Sequence, residues 1–257
     1  MIASVQNERV KLVIALQKRA RSRRKESKMV LEGVRLVRDA ISSGLQPKFL
    51  LVDPQSLTND MAAWLAAHTI EPIAVTAEVM QHMTETQQPQ GIIGVFPLPQ
   101  VNMPETLNRV LILDAVQDPG NVGTMLRTAA AAGIDGVLLA PGCADPFNPK
   151  VLRAGMGAHF RVTLLEGDWA QVTMLCEGLP VYIASGDGEQ RYDQVDWTQP
   201  HALIIGSEAH GASPDAYTLA SQTLTIPMAR ATESLNAAAA CAVILFEAAR
   251  QRLPDKI

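Results

Sequence analysis

The feature that most constrains the fold is a regular alternation of apolar runs and helical segments from residue 109 onward. Residues 110–113 (VLIL) form an apolar run of strand length, a helical segment follows at 121–132, and another apolar run follows at 136–140. Strands that are apolar on every residue are typical of parallel sheets covered by helices on both faces. This half of the chain is therefore predicted to be an α/β unit with a parallel sheet.

The N-terminal residues repeat the alternation on a smaller scale. Helices are predicted at 7–20 and 33–43, followed by strands and short helices up to a last strand at 91–96. A proline-marked segment at 97–104 then shows little periodicity and indicates a boundary. We predict a small α/β domain at 1–98, a linker at 99–105 and a larger domain at 106–257.

Charge is distributed unevenly between these two regions. The net charge is −4, but the first 50 residues have 12 Lys and Arg against 4 Asp and Glu. The centre of this basic region contains Arg21, Arg23, Arg24 and Lys25 with little acidic compensation. A solvated helix face is one interpretation, whereas the density of the run favours contact with nucleic-acid phosphates.

Other global features narrow the class of protein. Apolar runs of 18 residues are absent from the sequence, the N-terminus lacks an apolar signal core, and the three cysteines are scattered. We expect a cytoplasmic protein with reduced thiols and no membrane partner. Histidine, cysteine and carboxylate residues do not recur at metal-ligand spacing, so no metal is expected.

Three segments place isolated polar side chains where a strand ends or a helix begins. The first contains Asn121 and Arg127 after the apolar run at 110–113, and an Arg in such an apolar helix is expected to be paired or functional. The second follows the apolar run at 203–205 with Gly206 and Glu208.

The third segment precedes the last helix, which is predicted from 234 to about 250 and is apolar nearly all round. Glu233, Ser234 and Asn236 lie at its start, where unpaired backbone N–H groups can hold a ligand. A Ser N-cap on a core helix is the simpler interpretation of this segment alone. Together, the three segments predict one site at the carboxyl edge of a parallel sheet.

The order, spacing and type of these segments resemble the three signature motifs of the SpoU (TrmH) family of RNA ribose 2′-O-methyltransferases, in the SPOUT superfamily. The resemblance covers about residues 106–250. The N-terminal unit resembles the ribosomal-protein-like α/β/α substrate-binding domain of that family, most clearly at 31–37. One departure is the run of four alanines at 237–240, where the family commonly has Val-Ser-Val-Ala.

The resemblance implies a C-terminal trefoil knot that binds S-adenosylmethionine, with Gly206, Ile226 and Leu235 enclosing the cofactor. It also implies an activating role for Arg127, either as a transiently deprotonated base or as a clamp on a substrate phosphate. Arg normally stays protonated, which makes the first role awkward. Four further side chains are implied to orient the reactants: Asn121, Glu208, Ser234 and Asn236.

Substrate and assembly are also implied by the family. We expect methylation of structured RNA, with ribosomal RNA favoured over transfer RNA. The working unit is expected to be a homodimer formed through the C-terminal domain, in which the last helix packs against its own copy or against the helix near 121–132. A catalytically silent RNA-binding relative is one alternative. A nucleotide-dependent enzyme of Rossmann type is another, but the G-x-G-x-x-G fingerprint is replaced by Asp-Pro-Gly-Asn-Val-Gly.

Overall fold

The computed structural model describes residues 1–84, 89–99, 106–229 and 234–252. In chain order, the helices are α1 Glu8–Lys18, α2 Ala20–Glu26, α3 Val34–Ser42, α4 Asn59–Ala67, α5 Ala77–Met83, α6 Pro119–Ala131, α7 Pro149–Gly155, α8 Trp169–Leu175, α9 Pro214–Leu219 and α10 Ala237–Arg252. The strands are β1 Lys28–Glu32, β2 Phe49–Val52, β3 Ile73–Ala74, β4 Ile92–Pro97, β5 Arg109–Leu113, β6 Gly136–Leu139, β7 Thr163–Glu166, β8 Val181–Ala184, β9 Gln190–Arg191, β10 His201–Ile205 and β11 Gln222–Thr225.

The described residues form two compact units. The first contains residues 1–99 together with 147–160, and the second contains 106–146 and 161–252. The helix α7 therefore groups with the N-terminal unit, although it follows β6 in the chain. Most of the predicted linker lies outside the described residues, and the bounds 1–98, 99–105 and 106–257 remain a prediction about separate domains.

The first unit is a four-stranded sheet of order β1-β4-β2-β3 between two helical layers. Alternate strand residues point to opposite faces, as the twofold period of a strand requires. Leu50 and Val52 pack with α3 and α4, whereas Leu51 packs with α1 and α5. The strand β1 was not predicted, because charged residues at both ends leave only three apolar positions in it.

Arg19 interrupts the single helix predicted at 7–20. Its φ of −131° and ψ of 116° are extended, so α1 ends before it and α2 begins after it. The break turns Arg23 back onto the end of α1, where its Nη1 donates to the carbonyl oxygens of Leu16 (2.5 Å) and Gln17 (3.1 Å). Carbonyls in the last turn of a helix otherwise lack partners.

Arg23 is only 3% exposed, so the prediction that it contacts RNA is wrong. Its guanidinium satisfies backbone groups in the interior instead. By contrast, Arg21, Arg24 and Lys25 are exposed. The sequence shows a run of basic residues but not which of their side chains are buried. The break at Arg19 decides which way each side chain points.

We predict that Arg23→Gln lowers the local stability of the N-terminal unit by about 2 kcal/mol, because it removes charged hydrogen bonds to buried carbonyls. Native-state hydrogen exchange of the α1 and β1 amides measures this change. Arg21→Gln is the matched control and is expected to stay within about 0.5 kcal/mol of wild type. Equal exchange rates in the two variants would contradict the capping role of Arg23.

The second unit contains a seven-stranded sheet of order β7-β6-β5-β10-β8-β11-β9. Every pairing in it is parallel, which confirms the predicted fold class. Ile112 of β5 lies opposite Leu138 of β6 on one side and Ile204 of β10 on the other. The two-residue strand β9 was not predicted, since it is too short to show a pattern.

The strand order reverses direction between β5 and β10. The chain runs outward from β5 through β6 to β7 on one side, and β10, β8 and β11 lie on the other. In open parallel sheets, ligands bind beyond the carboxyl ends of strands at such a point. The loops that follow β5 and β10 carry two of the three predicted motifs.

Helix α10, which begins after the third motif, packs against α6, which carries the first. Its buried side includes Cys241, Ile244 and Leu245. Among the described residues, no helix combines the length and apolar character needed to cross a membrane.

Candidate cofactor-binding and active site

A cavity of about 420 Å³ lies beyond the carboxyl ends of β8, β10 and β11, next to the start of α10. This volume is within the usual range for small-molecule sites. The cavity is lined by Ala184, Ser185, Gly186, Ile205, Gly206, Ser207, Glu208, Gly211, Ala212, Tyr217, Leu224, Ile226, Met228, Ser234, Leu235, Asn236, Ala237 and Ala240. Gly206, Ile226 and Leu235, the three predicted cofactor-binding residues, are all among them.

The lining is mostly apolar, with a few polar groups at one part of the wall. Ile205, Leu224 and Ile226 come from strand ends, and Ser234 and Asn236 come from the segment that leads into α10. Glu208 is the one charged side chain among the described lining residues. An apolar slot with a few polar groups suits a ligand that has both a flat heterocycle and charged substituents.

Gly206 is required by the shape of the loop that follows β10. A Cβ at this position would collide with the backbone of Gly211 and Ala212. The loop closes on itself, since the Ser207 N–H donates to the Gly211 carbonyl (2.9 Å) and the Gly211 N–H donates to the Ser207 carbonyl (3.0 Å). Close packing of the loop's own backbone thus explains this glycine, in addition to any approach of a ligand.

A chain of hydrogen bonds joins the three predicted motifs. Asn121 Nδ2 donates to Glu208 Oε1 (2.5 Å), and Asn236 Nδ2 donates to Asn121 Oδ1 (3.3 Å). Residues separated by 87 and 115 positions in the sequence therefore meet beside one cavity, which Glu208 and Asn236 line and Asn121 does not. The structure brings these three predicted site residues together.

Helix caps hold the two asparagines in place. Asp118 caps α6 by accepting from the Asn121 N–H (2.8 Å). Asn236 Oδ1 accepts from the N–H groups of Ala238 (2.9 Å) and Ala239 (3.3 Å) at the start of α10. The capping residue is thus Asn236, and the simpler interpretation that made Ser234 the N-cap is wrong. The capping oxygen fixes the amide so that its Nδ2 faces Asn121.

Arg127 is placed differently from the other predicted residues. It is exposed on α6 and does not line the cavity. Within the described ranges its side chain makes no hydrogen bond or ion pair. The expectation was that Arg127 is paired or functional, and the structure offers no pairing partner there. Glu233, also singled out in the sequence, lies outside the described residues.

Asp114 is a supporting residue beside the cavity that the sequence did not reveal. It directly follows β5 with only 1% exposure, and its Oδ2 accepts from the Ser213 N–H (2.5 Å). This bond ties the loop after β10 to the end of the neighbouring strand. An acidic residue directly after a wholly apolar strand was the available signal.

The loop after β8 was also missed. Ser185 and Gly186 line the cavity because β8 lies between β10 and β11 in the sheet. Strand order is not visible in a single sequence, so nothing linked this loop to the three motifs. Tyr217 and Met228 reach the cavity for the same reason.

The cysteines do not supply a nucleophile. Burial raises the pKa of Cys143 and of Cys176 to about 11 and that of Cys241 to about 12. All three thiols are therefore protonated at neutral pH.

Comparison with known proteins identifies the family. Residues 108–246 match the SpoU rRNA Methylase family, and residues 7–94 match an MRM3-like substrate binding domain. The chain belongs to the SpoU rRNA methylase family, which confirms the resemblance inferred from the three motifs.

Individual relatives match over nearly the whole chain. The 23S rRNA (guanosine(2553)-2′-O)-methyltransferase RlmP of Bacillus subtilis is 33% identical, with 95% of this chain and 97% of the relative covered. The mitochondrial rRNA methyltransferase 3 of Mus musculus is also 33% identical, over 95% of this chain and 72% of its own. The structure of the SpoU methyltransferase AviRb from Streptomyces viridochromogenes, in complex with the cofactor AdoMet, superposes with a TM-score of 0.86 at 28% identity, covering 96% of this chain and 98% of that one.

Proposed function

We propose that this chain transfers a methyl group from S-adenosylmethionine to a ribose 2′-hydroxyl of ribosomal RNA. The observation that carries this proposal is the hydrogen-bonded chain in which Asn121 joins Glu208 and Asn236, two lining residues of the 420 Å³ cavity. The motifs of the SpoU family thereby converge on a space that suits a small molecule.

The residues of the cavity fit S-adenosylmethionine. Ile226 and Leu235 offer an apolar slot for adenine, and Gly206 lets backbone pass close to it. Glu208 and the serines offer acceptors for ammonium and hydroxyl groups. When bound, the cofactor supplies an electrophilic methyl group on a positively charged sulfur. The protein's task is then to align a ribose hydroxyl with that group and to assist loss of its proton.

Ribosomal RNA is the substrate that the relatives support. RlmP and the mitochondrial rRNA methyltransferase 3 are both named for ribosomal RNA, and RlmP for a guanosine of 23S RNA. The MRM3-like substrate-binding match covers the basic N-terminal unit. We therefore favour 23S ribosomal RNA over transfer RNA, and infer a cytoplasmic location with the ribosome.

We assign Arg127 to the substrate. An exposed guanidinium outside the cavity is accessible to RNA. Such access is needed for either interpretation, because a clamp must reach a phosphate and a base must reach the ribose hydroxyl. Asn121, Glu208, Ser234 and Asn236 orient the ribose or the cofactor through hydrogen bonds. Retention of this set argues against a catalytically silent relative, since packing alone does not require it.

Substitution of Arg127 tests the proposal. We expect Arg127→Ala to lower methyl transfer by at least about 100-fold, because alignment and proton transfer contribute on that scale. S-adenosylmethionine affinity should stay within several-fold of wild type. Transfer of a labelled methyl group to ribosomal RNA from cells that lack the gene, followed by mapping of the modified ribose, provides the measurement.

Thr124→Ala, on the same exposed stripe of α6, is the control and should retain activity. Substantial turnover by Arg127→Ala would remove Arg127 from the reaction. Binding of NAD without S-adenosylmethionine by the wild-type chain would instead support the Rossmann alternative.

We infer that Arg21, Arg24 and Lys25 contact RNA phosphates. They are exposed and belong to the basic run of the N-terminal unit, and Arg23 supports the helix pair that presents them. Positive side chains that neutralise phosphates release counterions, so their binding depends on salt.

The triple variant Arg21→Gln, Arg24→Gln, Lys25→Gln is expected to bind RNA more weakly and to flatten the salt dependence by up to about 0.7–0.9 log units per lost contact. Filter binding over a salt series measures the slope. The control Lys11→Gln removes an exposed lysine already paired with Glu8 at 3.0 Å. An unchanged slope in the triple variant would mean that the run is only a solvated face.

We further propose a homodimer formed through α10, and a trefoil knot in the same region. One side of α10 packs in the chain's own interior, but its other side exposes the apolar residues Val243 (36% exposed) and Phe246 (52%). Leu235 (38%), which also lines the cavity, is exposed just before the helix begins. Ala239 lies between Leu235 and Val243 on the same face. An apolar stripe of this kind favours association with a second copy.

Phe246→Glu is expected to convert the dimer to a monomer, because it places a charge in the apolar stripe. Sedimentation of dilute protein reports the mass, and 27.7 kDa corresponds to one chain. Met174→Glu, at a position that is 66% exposed on α8, is the control and should remain dimeric. A wild-type chain that sediments as an active monomer would refute the dimer.

A further inference from the structure

The negative charge of Glu208 affects which ligands the cavity binds, in addition to the hydrogen bond that Glu208 accepts from Asn121. We propose that the Glu208 carboxylate makes the cavity prefer the positively charged methyl donor over its neutral product, S-adenosylhomocysteine. This inference rests on the proposed function, because it concerns the same cavity and the same cofactor. It assigns Glu208 the task of favouring the donor when both ligands are present.

The residues that line the cavity are nearly all uncharged. Seventeen of the eighteen described lining residues are uncharged, and Glu208 is the exception. The other polar lining side chains are serines, a tyrosine and an asparagine, which interact with charged and uncharged ligands through hydrogen bonds. Among the described lining residues, Glu208 is therefore the side chain that responds directly to the net charge of a ligand.

The Glu208 carboxylate is held in place by hydrogen bonds. Asn121 Nδ2 donates to its Oε1, and Asn121 is itself fixed by Asn236 and the cap of α6. The amide neutralises none of the carboxylate charge. A fixed acceptor also loses less side-chain freedom when a ligand binds than a mobile one does.

The methyl donor and its product differ in net charge. S-adenosylmethionine has a sulfonium, an ammonium and a carboxylate, for a net charge of +1. Loss of the methyl cation leaves a thioether, and the product has a net charge of zero. The two molecules are otherwise nearly identical in shape, so a nearby negative charge separates them by attraction to the sulfonium.

Calorimetric titration of the full chain with each ligand tests the proposal. Because Glu208 is exposed, its attraction is screened, and we expect Glu208→Gln to weaken S-adenosylmethionine by about 3- to 10-fold. The affinity for S-adenosylhomocysteine should change by less than about 2-fold. Sinefungin, in which an amine-bearing carbon replaces the sulfonium, retains a positive charge and should follow S-adenosylmethionine.

Glu189→Gln is the matched control, since it removes the same charge from an exposed position that does not line the cavity. It should leave all three affinities unchanged. Equal weakening of the donor and the product by Glu208→Gln, or no weakening of either, would overturn the proposal. Failure of the wild-type chain to bind any of these ligands would instead refute the proposed function.

A salt series on the wild-type chain decides the matter if Glu208→Gln does not fold. Raising salt from about 0.1 M to about 1 M shortens the Debye length from about 10 Å to about 3 Å. The affinity for S-adenosylmethionine should then fall relative to that for S-adenosylhomocysteine. A constant ratio of the two affinities would overturn the proposal.

Discussion

The hydrogen bonds that join Asn121, Glu208 and Asn236 depend on one feature of the sheet, the insertion of β10 between β5 and β8. This placement brings the loop after β10 beside the start of α6, which follows β5. Packing of α10 against α6 then brings the third motif to the same place. Each polar group on its own would be an exposed side chain at a loop or helix end. The order of the strands brings these polar groups together into one candidate site.

Parallel pairing and helix capping act together to position these groups. The buried Asp114 ties the loop after β10 to the end of β5, and Asp118 and Asn236 fix the first turns of α6 and α10. Each of these residues satisfies a backbone N–H group that would otherwise lack a partner. The same bonds that stabilise the fold therefore set the directions of the two candidate site amides, those of Asn121 and Asn236. In this chain, stability and positioning depend on the same few contacts.

The parallel sheet and the meeting of the three motifs could be predicted from the sequence, because apolar runs and polar residues at their ends are local patterns. The packing of β2 into two cores could also be predicted, because consecutive residues of a strand point to opposite faces of the sheet. By contrast, the loop after β8 joins the cavity only through strand order, which a single sequence does not show. Arg23 shows a second limit. Its neighbours in the basic run are exposed, and only the extended backbone of Arg19 turns it inward.

The closed loop between Ser207 and Gly211 is held together by hydrogen bonds within its own backbone. Two reciprocal hydrogen bonds and the absence of a Cβ at Gly206 hold it. Such a loop is preorganised, since its conformational entropy is lost when the protein folds and not when a ligand binds. Its length is fixed by the same geometry, so insertions between Ser207 and Gly211 would be poorly tolerated, whereas the whole loop could be exchanged between related enzymes as a unit.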